Sequence, residues 1–267
     1  MYIFSIVRAL ALALSMVIWM LAYSTTLLFS KHTPERAFRL RRNWLRYMCH
    51  PILNIKVIVE GEAVPQAALY VCNHRSFADP LAILPYLDAY VIAKAEVASY
   101  PVINKGAELT GVLYVKREDS QSRNEVRNLM VKTIKDGYNV LVFPEGTVSF
   151  HSYPMPFRAG SFNEAAKEGI GIVPIAIEFR DKRDLWLVPH FIQQYLLSYT
   201  KWKTEVKVAF GQIQYDQEGE KLRNYCEQWI TQKMAEMRKG WSSIDFTELD
   251  KKEPYVQALS LKRKENS

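Results

Sequence analysis

Val71-Cys72-Asn73-His74-Arg75-Ser76-Phe77-Ala78-Asp79-Pro80 sets a histidine and a carboxylate five residues apart, directly after the apolar run Ala68 to Cys72. The run reads as a buried strand, and a loop leaving the carboxyl end of a strand in an open α/β sheet is where such folds usually build their sites. Asp79-Pro80 reads as a helix start, Asp being a favoured cap and Pro a favoured first residue. Leu81-Ala82-Ile83-Leu84 would supply its buried face. On a continuous helix, residues at this spacing stand roughly 140° apart around the axis, and the proline steers Asp79 away from the α conformation. Asn73 to Ala78 is therefore expected to fold back as a turn. In it the Asp79 carboxylate can hold one imidazole nitrogen of His74 and leave the other as a base. The same residues also suit an ordinary turn with a capping Asp and a bystander His.

Outward from this stretch, short apolar runs alternate with helical patterns. Ile52 to Val59 is rich in β-branched residues and ends in Glu60-Gly61-Glu62, a hairpin or edge signal. Tyr90 to Ala93 is a strand ending at Lys94, and Val112 to Val115 is a strand that delivers Lys116-Arg117. Asn124 to Lys135 has a helical apolar face and stops at Asp136-Gly137. Asn139 to Phe143 is a strand running into Pro144-Glu145-Gly146-Thr147, and a helix from Phe162 to Glu168 follows Phe157-Arg158. Ile170 to Phe179 is a further strand, with Pro174 pointing to its start or to an edge. Val206 to Phe210 and Ile213 form a last strand or two, before an amphipathic helix from Glu218 to Lys239. The alternation predicts an α/β fold, a mainly parallel sheet flanked by helices.

Ala9 to Phe29 carries no charge, long enough to cross a hydrocarbon core of about 30 Å. Arg8 precedes it, whereas Lys31, Arg36, Arg39, Arg41, Arg42 and Arg46 follow. That asymmetry puts the main domain on the cytoplasmic side of a membrane. A cleaved signal would have a shorter apolar centre, while a helix lying in the interface also suits a run diluted by Ser15, Ser24, Thr25 and Thr26. The net charge of +7 asks for an anionic partner. Because the basic residues crowd beside the apolar run, anionic lipid is a simpler partner than nucleic acid. Cys49, Cys72 and Cys226 are too few and too scattered for a disulfide framework, and His32, His50, His151 and His190 show no metal-ligand spacing.

Asn73-His74-Arg75-Ser76-Phe77-Ala78-Asp79 resembles the N-H-x-x-x-x-D box of the glycerolipid acyltransferases, in particular the 1-acylglycerol-3-phosphate (lysophosphatidic acid) acyltransferases. Gly111 to Arg117 is similar to their second block, Phe143-Pro144-Glu145-Gly146-Thr147 to the third and Val173-Pro174-Ile175 to the fourth, in the family's order. The resemblance implies direct acyl transfer, with His74 as the base and Asp79 orienting its ring. It needs no serine nucleophile, and the chain has no G-x-S-x-G elbow. It also implies a lysophospholipid acceptor, with Arg117 and its neighbour Lys116 clamping the phosphate. Glu145 would accept bonds from the glycerol or from Arg117, Gly146 and Thr147 would donate, and Lys94 and Arg158 would meet the phosphates of a coenzyme A or acyl carrier protein donor. No cofactor or metal is implied. One departure stands out: the family's third block continues with arginine, and here Val148 follows Thr147. A missing cation weakens phosphate recognition, and the relative that acylates lyso-ornithine lipid also lacks this arginine, so the resemblance offers lyso-ornithine lipid or another lysolipid as the alternative acceptor. A silent lipid-binding module is the alternative from another class. The expected division is an anchor and basic amphipathic segment at 1–48, an acyltransferase domain at 49–245 and a charged, loosely ordered tail at 246–267.

Overall fold

The computed structural model describes residues 2–94, 111–115 and 119–252. Seven strands form one sheet: β1 (Ile55–Glu60), β2 (Leu69–Cys72), β3 (Ala89–Lys94), β4 (Val112–Val115), β5 (Asn139–Val142), β6 (Ile172–Phe179) and β7 (Thr204–Phe210). Their order is β1-β7-β6-β2-β5-β3-β4, and every pairing is parallel except β6 with β7. The expected mainly parallel α/β sheet is therefore present. Strands of a sheet covered on both faces are apolar on both faces, and the central strands β2 and β6 are buried at every residue.

Helices cover both faces. On one lie α1 (Ile3–Leu27), α2 (Pro34–Trp44), a π turn at Leu45–Cys49, α3 (His50–Leu53) and α4 (Asp79–Ile83). They pack, through Leu45, Cys49, Leu53 and Ile83, on Tyr70, Cys72, Ile175 and Phe179. The other face carries α5 (Ser120–Lys135), α6 (Gly160–Lys167) and α8 (Gly219–Arg238), which set Met130, Phe162, Cys226 and Ile230 against Leu69, Val71 and Ile172. A further short helix, α7 (Phe191–Ser198), precedes β7. Because β2, β5, β3 and β4 run parallel as neighbours, their carboxyl ends share one edge, and the residues after each of them are delivered there.

Several expectations need correction. Ile52 belongs to helix α3, which ends where Asn54 adopts the left-handed conformation at φ 50°. The strand therefore starts at Ile55, and it is a sheet edge paired in parallel with β7 rather than half of a hairpin. Pro174 sits inside a central strand. Its carbonyl accepts from Gly211 N at 2.8 Å, so its missing N–H faces the side where the β6–β7 ladder, which begins at Ile175, has already ended. Ile213 lies in no strand; Gln214 alone bridges back to Ile172. Residues 246–252, expected in a loose tail, pack on the domain: Leu249 is buried, Asp250 accepts from Ser152 N and Oγ, and His151 Nε2 bonds the Lys252 carbonyl.

The apolar helix α1 extends further toward the N-terminus than Ala9. Among the described residues it is the helix long and apolar enough to cross a membrane. One side is stitched to the protein along its length. Ser5 Oγ donates to Leu196 O, and Arg8 donates to the carbonyls of Tyr199, Lys201 and Trp202 at 3.3, 2.9 and 2.8 Å. Farther along, Trp44 Nε1 donates to Ser15 Oγ and Trp19 Nε1 to Leu40 O. The opposite side exposes Ile6, Leu10, Leu14, Val17, Ile18 and Leu21, a continuous stripe at helical spacing.

Candidate active site

The loop between β2 and α4 turns back on itself. His74 Nδ1 and Asp79 Oδ2 lie 2.7 Å apart, and the same oxygen accepts from the backbone N–H of Arg75 and Ser76 at 2.7 and 3.0 Å. Asp79 is not a helix cap, as its position before Pro80 suggested. Ala78 holds the cap position without a side-chain bond, and the Asp79 carboxylate is spent closing the loop. Since a carboxylate only accepts, Nδ1 carries a ring proton, and in the neutral ring the lone pair is on Nε2. Nε2 takes no protein hydrogen bond among the described residues. The ring stacks on Phe143 at 4.3 Å, and its side chain remains 19% exposed while that of Asp79 is fully buried. A neutral imidazole with one nitrogen fixed and the other open is equipped to take a proton from a hydroxyl.

The turn after β5 braces this loop from beside it. Glu145 Oε1 accepts from the His74 backbone N–H and Oε2 from that of Met155, both at 2.6 Å. Each oxygen thus accepts from a backbone N–H, and through Oε1 Glu145 holds the backbone of His74. Burial pushes its carboxyl up to about 8, against the two N–H donors and the Arg75 charge, which pull it down. Gly146 also departs from expectation, because its N–H closes the turn onto Phe143 O and is not offered outward. It adopts φ +69°, and a Cβ there would stand 2.7 Å from Arg158 Nε, so the glycine makes room for that side chain. Arg158 is exposed and tied to the turn by its N–H to Pro144 O. Thr147 Oγ1 is buried and has no partner among the described residues.

Lys116 and Arg117 lie outside the described residues, as does the side chain of Lys94. Their strands, β4 and β3, end at the same sheet edge as the His74 loop.

Residues 56–178 match the family model Acyltransferase, a span that contains the whole His74–Asp79–Glu145 arrangement. Over that span the chain is similar to the acyltransferases. The lyso-ornithine lipid O-acyltransferase of Pseudomonas aeruginosa is 34% identical to it over 152 residues, covering 55% of this chain and 56% of that protein. The chloroplastic 1-acyl-sn-glycerol-3-phosphate acyltransferase of Arabidopsis thaliana is 28% identical over 179 residues, covering 65% of this chain and 50% of that protein. The chain thus spans about half the length of these two curated relatives. In structure, the domain resembles the 1-acyl-sn-glycerophosphate (LPA) acyltransferase PlsC from Thermotoga maritima with a TM-score of 0.62 at 22% identity, covering 90% of this chain and 100% of that chain. That likeness speaks to the fold.

The site also uses residues to which sequence reasoning gave no role. Asn73 is fully buried and imitates a strand, its amide donating to Ile177 O and accepting from Ile177 N, which fixes the loop to β6. Arg75 and Glu178 form a fully buried ion pair at 2.9 Å. A signal for it was present, since Glu178 is the one charge in the otherwise apolar run Ile172 to Phe179, and a carboxylate in a doubly buried strand requires a cation.

Proposed function

We propose that this protein transfers an acyl group from an acyl thioester to the free hydroxyl of a membrane lysolipid, converting lysophosphatidic acid to phosphatidic acid. The observation that carries the reading is the His74–Asp79 pair at 2.7 Å, with Nε2 left open among the described residues. His74 Nε2 takes the hydroxyl proton as the oxygen attacks the thioester carbon. An ester C–O bond forms, the C–S bond breaks, and the thiolate leaves with the proton carried by the imidazolium. Positioned bases of this kind contribute about 10²- to 10⁴-fold. The donor is the thioester of coenzyme A or of acyl carrier protein, and Arg158, exposed beside the Pro144–Thr147 turn, is the described cation assigned to its phosphates.

A second acceptor is favoured by two observations. Val148 stands where the resembled block has arginine, and a relative sharing 34% identity is named for lyso-ornithine lipid. Purified protein in detergent, given acyl-coenzyme A or acyl carrier protein thioester and a panel of lysolipids, decides between the two. Ester formation on lysophosphatidic acid supports the first reading, turnover confined to lyso-ornithine lipid replaces the acceptor, and no turnover on any lysolipid sinks the enzyme reading in favour of a silent module. His74→Ala is expected to lose at least about a hundredfold in kcat with vesicle binding intact.

The attachment reading is that α1 lies in the membrane interface. Its bonds from Ser5 and Arg8 to the segment around residues 196–202 and from Ser15 and Trp19 to α2 keep one side of the helix against the protein, and its exposed stripe suits a helix lying along the surface. The assignment to the cytoplasmic face rests on the basic residues after the helix.

A further inference from the structure

Beneath the catalytic loop lies a buried cluster that the chemistry above does not use. The Arg75 side chain has no exposed surface. Its backbone N–H donates to the Asp79 oxygen that holds His74, while its guanidinium turns the other way. There it donates to the carbonyls of Ser149 and His151 and to both oxygens of Glu178, the latter at 2.9 and 3.2 Å. Ser149 N in turn donates to the His74 carbonyl at 2.7 Å. Residues 74 and 75 are thus pinned to the 149–151 segment from both sides.

Arg238, at the end of α8, brings a second cation to Glu178, with Nε 3.6 Å from Oε2. One buried carboxylate then serves two guanidiniums, and excess charge at depth is costly. The C-terminal segment meets that excess. The Phe246 ring faces both guanidiniums, its centroid 5.4 Å from Arg75 Cζ and 4.8 Å from Arg238 Cζ. Asp250, tied to Ser152, adds negative charge near Arg238. Attraction between a cation and a ring face strengthens where water is excluded.

We propose that residues 246–252 are a positioning element of the acyl-transfer site. Phe246 steadies the Arg75 guanidinium, and through it the backbone that presents His74 to Asp79. Phe246 lies well outside residues 56–178, the span matched by the family model. The inference rests on the acyl-transfer reading for its kinetic readout only.

The test uses the full chain in detergent. Phe246→Leu keeps an apolar side chain and removes the ring face, Phe246→Tyr keeps the ring, and Phe246→Met replaces the Leu variant should it not fold. Steady-state kinetics are paired with the rate at which diethyl pyrocarbonate modifies His74, read by peptide mass spectrometry against the exposed His190. Phe246→Leu is expected to lower kcat about tenfold, the scale of a desolvated cation–π contact, without changing KM for either substrate. It should also speed His74 modification several-fold relative to His190, with Phe246→Tyr restoring both. Arg75→Lys should give the same pattern, and adding Phe246→Leu to it should change little. The proposal is overturned if Phe246→Leu leaves His74 modification at the native rate, or if Phe246→Tyr is as impaired as Phe246→Leu. The modification rate needs no turnover. If the unaltered protein transfers no acyl group while Phe246→Leu still exposes His74, the positioning role stands and the acyl-transfer reading falls.

Discussion

Glu145 accepts from two backbone N–H groups and is 4% exposed, so its protonation is coupled to folding. Burial raises its carboxyl from an ordinary 4.5 to about 8. In that window the folded state binds a proton that the unfolded chain has released, so stability falls with rising pH. The contribution is fully present below about 4.5 and is lost as pH rises through about 8. Melting temperatures measured across that range should decline, and Glu145→Gln should flatten the decline. The same variant should lower kcat, because a Gln amide offers one acceptor where His74 N–H and Met155 N–H need two; unchanged kcat would remove Glu145 from any positioning role. At this scale the sequence was readable where chemistry needs a residue type, as at His74 and Asp79. It was misleading where a side chain serves its own backbone. Nothing in Pro144-Glu145-Gly146-Thr147 says that the carboxylate turns inward to N–H groups, because those partners come from residues 74 and 155, distant in the chain.

Among the elements, the helix α1 depends on Arg8. Its guanidinium satisfies three carbonyls in the segment after α7, and hydrogen bonds to a charged group contribute about 1.5–3 kcal/mol. Arg8→Ala should therefore lower stability by about 2–3 kcal/mol in chemical denaturation and make residues 3–27 the first site of proteolysis. A denaturation midpoint equal to that of the unaltered protein would show that α1 is not clasped. The strands were legible as short apolar runs between Gly, Pro and Asn punctuation, since a strand buried on both faces leaves that pattern. Ile52 and Leu53 were misread because a short apolar run suits helix and strand alike. The deciding residue was Asn54, whose left-handed backbone ends the helix before β1 begins. Pro174 misled for a related reason: whether a strand proline is tolerated depends on which neighbour has ended beside it, a matter of tertiary register.

For the molecule as a whole, much of the positive charge is committed internally. Arg41 donates to Ala89 O, Arg42 pairs with Asp88 and Arg46 donates to Pro85 O, so three of the arginines that suggested an anionic partner hold α2 and the π turn after it to the domain. Attachment to vesicles should then depend mainly on the apolar stripe of α1. High salt is expected to release little protein, whereas Leu10→Asp together with Leu14→Asp should release most of it in a flotation assay. Release by salt alone would return the basic residues to the leading role. The sheet order carries one more consequence, for the history of the chain. Among the described residues strand β1 pairs only with β7, Ile55 opposite Thr204, so one of the earliest strands to leave the ribosome waits for one of the last. During that wait its ladder is open, a slow and aggregation-prone stage of assembly. A nascent chain that docked α1 at a lipid surface first would spend that interval away from its neighbours.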